Sequence, residues 1–138
     1  MHEYTVEFRI YGTDLDPSSV TSNLGMDASE VRPSGANSQT MFRYGGMWSY
    51  NGFSKDQGAR SWERLEDGLI FVLKKLWPVK NKIDQYKVNC KLTLWCGHFQ
   101  SSFDGGPTLS PSTLQMLADF GVELFIDNYF SDVEKREA

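Results

Sequence analysis

The chain has only two cysteines and two histidines in 138 residues, and its positive charges do not outnumber its negative ones. Each scarcity removes a class of protein. Cys90 and Cys96 sit in one alternating run, and a strand rising ~3.3 Å per residue holds them ~20 Å apart, beyond disulfide reach. They read as free, buried thiols. Without Cys-x-x-Cys spacing, and with His2 and His98 far apart in the chain, no metal site is expected. A formal net charge of −4 argues against a general nucleic-acid binder, which needs clustered Lys and Arg. A basic partner suits this chain better. No glycine-rich phosphate cradle occurs, so no nucleotide and no other cofactor is implied. Long apolar runs are missing too, and the opening MHEYTVEFRI alternates. It therefore reads as neither a signal peptide nor a membrane span, and the expected location is cytoplasmic by default.

Aromatic residues, by contrast, are plentiful: nine Phe, six Tyr and four Trp. A chain of this length forms one domain with one core, so residues 1–138 are expected to fold as a single unit with several aromatic side chains at its surface.

Period-two alternation marks the strands. In residues 4 to 11, Tyr4, Val6, Phe8 and Ile10 alternate with Thr5, Glu7, Arg9 and Tyr11. A second run spans residues 88 to 96, with Val88, Cys90, Leu92, Leu94 and Cys96 inward and Trp95 outward. A third spans 122 to 130, with Val122, Leu124 and Ile126 inward. Two short helices announce themselves by their ends. Asp16 and Pro17 open one that Gly25 closes, and Ser110 and Pro111 open another, with Leu114 and Leu117 facing the core and Gly121 as the stop. The likeness of LDPSSVTSNLG to LSPSTLQMLADFG follows from this shared helix-start chemistry. Between them a longer helix begins at Ser61 as N-cap and carries Trp62, Leu65, Leu69, Val72 or Leu73, and Leu76 at three- and four-residue steps, with a bent extension beyond Pro78. Residues 27 to 46 read as a long loop excursion with hints of strand at 30 to 32 and 41 to 44. MWSY at 47 to 50 is a short strand, and residues 131 to 138 are a frayed tail.

This order predicts an α+β domain: a mainly antiparallel sheet of four to five strands, helices packed on one face, in a ferredoxin-like order.

Chemistry-bearing residues are few. GHFQSSFDGGP, residues 97 to 107, collects His98, Ser101, Ser102 and Asp104, yet lacks the Gly-x-Ser-x-Gly elbow of a serine hydrolase. Parity places His98 on the inward series of Leu94 and Cys96, capping the core and donating a ring N–H to a carbonyl. Asp104 to Pro107 then form a turn toward the next helix. Asp14, Asp16, Asp104 and Asp127 could be imagined around Mg²⁺, but caps and turns account for most of them. Charge is segregated: six lysines stand between 74 and 91, while seven acids stand between 104 and 138. The lysines fit a solvated helix and its C-terminus. The acidic end has a further feature, because Glu123, Phe125, Asp127 and Tyr129 alternate on the outward side of the last strand. Tyr11 and Trp95 point outward on the other strands. If the helices cover only one face, these six residues gather as an aromatic patch with a carboxylate rim, the composition of a partner-binding surface; the alternative is that residues 27 to 60 fold over this face and bury it.

The strings IYGTDLDPSSVTSNLG, GGMWSYNG, WCGHF and GGPTLSPSTLQMLADFGVELFIDNY, met in this order from about Phe8 to Tyr129, resemble bacterial domain-of-unknown-function family 4279. The resemblance implies a small α+β domain with no established enzymatic activity, hence no catalytic residues to carry over. By analogy, small acidic bacterial domains of this kind look like immunity proteins that bind and neutralise a toxin. The expectation is thus a non-enzymatic protein-binding domain whose partner is basic and of nuclease type. The alternatives are a small hydrolase or ligand-binding enzyme using His98 and Asp104, and a structural domain that forms a homodimer through the same face.

Overall fold

The computed structural model describes residues 1–34, 45–58 and 60–131. The strand hint at 41 to 44, much of the 27 to 46 excursion and the tail after 131 lie outside these residues. β1 (His2–Gly12), β2 (Glu30–Arg32), β3 (Gly46–Tyr50), β4 (Lys91–Gln100) and β5 (Glu123–Phe130) form one mixed sheet in the order β2-β3-β1-β4-β5. The helices are α1 (Pro17–Leu24), α2 (Leu65–Leu76), the five-residue α3 (Lys80–Asp84) and α4 (Pro111–Phe120).

The fold is α+β, with antiparallel pairing everywhere except between β4 and β5. Parallel neighbours need a crossover rather than a hairpin, and α4 supplies it. The ferredoxin-like order is not the one found: β1 lies at the centre between β3 and β4, and β5 lies at the edge beside β4.

The four helices of the described residues lie on one side of the sheet, the side of the even-numbered residues of β1. Tyr4, Val6, Phe8 and Ile10 join Trp48, Leu94 and Cys96 from the sheet in one buried core. Val20 and Leu24 of α1, Leu69 and Leu73 of α2, Ile83 of α3, and Leu117 and Phe120 of α4 close over it. Two aromatic contacts sit at its centre, Phe8 edge-on to Trp48 at 6.4 Å and to Phe120 at 6.0 Å. Trp48 also donates its indole N–H to Thr21 Oγ1 at 3.0 Å, so its polar atom is satisfied inside.

The helix ends follow their caps. Asp16 accepts from the Ser18 amide and Gly25 turns at φ 67°; Ser110 accepts from the Thr113 amide and Gly121 turns at φ 79°. The long helix departs from expectation at its start. Trp62 exchanges main-chain hydrogen bonds with Tyr4 at 2.7 and 2.8 Å, which holds it in a bridge to β1 and delays α2 to Leu65. At Pro78 a tight 3-10 turn, Trp77–Val79, bends the chain into α3. A second such turn, Gln85–Val88, replaces the expected beginning of the strand at 88, and Val88 is exposed. Cys90 therefore precedes β4 and is half-buried rather than buried; Cys96 is buried, and both are free. Leu114 also faces outward, because the buried stripe of α4 runs through Thr113, Leu117 and Phe120. Lys87 donates to the Phe120 carbonyl at 3.1 Å, placing a cation on the C-terminus of α4.

Candidate functional site

Three arrangements carry polar or aromatic chemistry. The first is the end of the sheet around His98. Antiparallel pairing of β1 with β4 sets Tyr4 opposite His98 and His2 opposite Gln100, so the chain's two histidines meet on the inward face. His98 is buried, stacked on Tyr4 at 4.6 Å. A carbonyl only accepts, so His2 Nε2 donates to the Asp104 carbonyl at 2.5 Å, and His2 Nδ1 and His98 Nε2 share a hydrogen bond at 2.8 Å. His98 Nδ1 meets Asn128 Oδ1 of β5 at 2.8 Å. Both ring nitrogens of His98 are thus engaged, neither of them with a hydroxyl. Asp104 reaches this cluster through its main chain, and its amide donates to Ser102 Oγ. The arrangement ties the beginning of β1, the end of β5 and the 101 to 106 loop together. It was invisible from either histidine alone.

The second is a buried carboxylate. Glu66, in the first turn of α2, accepts from the Ser110 amide at 2.6 Å and bonds Arg64 at 3.1 Å. Hydrogen bonding to the Thr113 hydroxyl, then to the Ser110 amide and hydroxyl, holds its pKa down at about 2. The charge sits at the N-terminus of α4, where a helix favours an anion, and locks α2 to α4. Macrodipole logic assigned it only to its own helix.

The third is the face of the sheet that, among the described residues, no helix covers. Register places Trp95 beside Phe125, Gly97 beside Asp127 and Phe99 beside Tyr129, with Glu123 beside Thr93. Tyr11 lies at the Lys91 end of β1, within reach of Arg9, whose guanidinium donates to the Tyr11 hydroxyl at 2.8 Å. All six residues singled out by alternation therefore share this face. Accessibility is uneven across it. Met47 and Ser49 of β3 are buried, whereas Phe99, Phe125 and Tyr129 are 41%, 49% and 41% exposed, so the accessible half is β4 with β5.

That half is built as a layer of rings. Phe99 stacks on Tyr129 at 4.9 Å, Trp95 lies 6.4 Å from Tyr129, and Arg9 sits 4.2 Å above the Trp95 ring. Gly97 makes the layer possible: a Cβ there would stand 2.8 Å from the Phe99 ring and 2.7 Å from Thr5 Oγ1. Phe99 was missed because only the inward series was followed as far as His98; the outward series of Thr93 and Trp95, continued through Gly97, reaches it. The acids are partly engaged within the layer. Glu7 pairs with Arg9, Glu123 lies 3.5 Å from Lys91, and Asp127 accepts from the Tyr129 hydroxyl. That last bond, first of all causes, raises the Tyr129 pKa. Farther along, Phe103 and Phe130 stack at 4.3 Å with 81% and 47% of their surfaces exposed.

A cleft of about 840 Å³ opens at the opposite end of the sheet, lined by Asp14, Asp16, Asn23, Tyr86 and Cys90 among others. Asn23 bonds the Tyr86 hydroxyl across it, and burial pushes the Cys90 thiol pKa up, away from a reactive thiolate. Among the described residues no group of three or more His, Cys, Asp or Glu is placed to hold a metal ion, and no helix is long and apolar enough to cross a membrane.

A family model described as a domain of unknown function, DUF4279, matches residues 2–131. Neither the curated proteins nor the solved structures provide a match.

Proposed function

The chain belongs to the DUF4279 family, and from that premise we propose that it is a non-catalytic protein-binding domain, acting as a bacterial immunity protein that binds and neutralises a basic, nuclease-type toxin. The observation that carries the reading is the accessible ring layer of Phe99, Phe125 and Tyr129, interleaved with Glu123 and Asp127 on a sheet face that the helices leave uncovered. Contiguous exposed aromatics are costly to keep in water, and rigid aromatic anchors inside a polar rim are how interfaces concentrate binding energy. A protein that holds nucleic acid must be basic, and an acidic inhibitor is drawn to it at long range. The net charge of −4 has the required sign.

The hydrolase reading has less support. His98 spends both ring nitrogens on His2 and Asn128, and Asp104 contributes a main-chain carbonyl rather than its carboxylate. Co-expression with a toxin domain encoded in the adjacent reading frame tests the proposal. The native chain restores growth, and the double variant Phe125→Ala with Asp127→Ala loses the rescue while its thermal unfolding is unchanged. Full rescue by the double variant would remove this face from the contact surface. Growth inhibition unrelieved by the native chain would reject the immunity function for that toxin.

A further inference from the structure

β5 is an outermost strand, paired on one side with β4 and, among the described residues, with no strand on the other. Its main-chain polarity can be read from one bond. The Ser131 amide donates to the Gln100 carbonyl at 2.8 Å, so odd-numbered residues direct N–H and C=O toward β4. Even-numbered ones then direct theirs outward, because successive residues of a strand alternate. Leu124, Ile126, Asn128 and Phe130 therefore present a row of donors and acceptors to whatever lies beyond the edge.

Sheets ordinarily blunt such an edge with lysine, proline, a bulge or brevity. The other edge strand, β2, is three residues long. β5 uses none of these devices: it has eight residues, ELFIDNYF, without Lys, Arg or Pro, and its register with β4 runs unbroken from Glu123 to Phe130. Its charged side chains are Glu123 and Asp127 only, both on the accessible face. A second copy of the same strand, paired antiparallel about Phe125 or Asp127, would set acid against acid, and like charges across strands repel. A strand carrying Lys or Arg at alternate positions would meet both acids and lay its remaining residues along Phe125 and Tyr129.

We infer that β5 takes up an extended, basic segment of a protein partner as a sixth strand, joined main chain to main chain along Leu124, Ile126, Asn128 and Phe130 and selected by Glu123 and Asp127. The inference rests on the protein-binding reading above and specifies its mode. The probe is an eight-residue synthetic peptide of alternating lysine and valine, matched to the length of β5. It is titrated into the ¹⁵N-labelled full chain, with amide hydrogen exchange as the readout. The Leu124, Ile126, Asn128 and Phe130 amides gain protection, while those of Phe125, Asp127 and Tyr129, already bonded to β4, change little. The same peptide N-methylated at alternate residues gives no protection, nor does an alternating glutamate and valine peptide, and added salt weakens the effect. Binding that shifts aromatic side-chain signals without protecting the outward amides overturns strand addition, as does failure of the lysine peptide to bind. Toxin rescue succeeding alongside either result leaves the proposed function standing and rejects only its mode. Rescue failing while the edge is protected does the reverse.

Discussion

Replacing Gly68 with alanine pits two effects of opposite sign against each other. Gly68 lies inside α2, and in an exposed helix interior alanine is favoured over glycine by about 1 kcal/mol. The structure predicts that packing wins. A Cβ at Gly68 would stand 2.8 Å from Val6 Cγ2 and 2.8 Å from Trp62 Cδ1, well inside the ~3.5–4.0 Å of an unstrained carbon contact. Neither neighbour can withdraw cheaply. Val6 is buried in the central strand, and Trp62 is pinned by its paired bonds to Tyr4 and by ring contacts with Phe53 at 6.0 Å and Phe71 at 5.1 Å. Overpacking a filled core costs about 1–3 kcal/mol. With two immobile neighbours the cost falls in the upper part of that range, leaving a net destabilisation of about 1–2 kcal/mol after the helical gain. Urea unfolding measures it by linear extrapolation, and the corresponding fall in Tm is about 3–8 °C for a domain of this size. Gly106→Ala is the control, since a Cβ there meets nothing within 4 Å; it should be neutral or stabilising by up to ~1 kcal/mol. If Gly68→Ala is as stable as the native chain, the close approach of α2 to β1 does not require glycine and the packing argument fails.

Glu66→Gln should reshape the acid side of the stability profile. The folded pKa of about 2 lies below the ordinary 4.5, so the carboxylate's contribution is present above about pH 4.5 and disappears as pH falls toward 2; the variant loses that slope, seen in denaturation midpoints across this window. His98→Ala leaves the His2 ring and the Asn128 amide without their partner and should cost about 1–3 kcal/mol, with faster amide exchange at the start of β1 and the end of β5; unchanged stability would contradict the clamp. Gly97→Ala should lift Phe99 off Tyr129, measurable as altered ring-current shifts and as weaker toxin rescue at little cost to α-helical signal.

Much of the local structure was legible because its causes are local. Asp16-Pro17 with Gly25, and Ser110-Pro111 with Gly121, state both ends of α1 and α4 within a few residues of each other. Strict alternation in β1, β4 and β5 assigns faces without reference to any other strand, which is why Tyr11, Trp95, Glu123, Phe125, Asp127 and Tyr129 could be placed together before their neighbours were known. The errors fall where a distant partner intervenes. Trp62 has a helical sequence context but pairs with Tyr4, and Leu114 lies beside the buried stripe of α4 rather than on it, a choice made by the surface α4 packs against.

The sequence by itself determined most of the elements, the caps of α1 and α4 and the two-sidedness of β1, β4 and β5, since a period of two or 3.6 residues is a property of a short segment. Only the tertiary structure decided that β4 and β5 run parallel, that β5 is left at the edge, that His2 meets His98, and that Glu66 caps a helix not its own. These depend on which non-local contacts close, and many pairings satisfy the same local periodicities while few bury one continuous core.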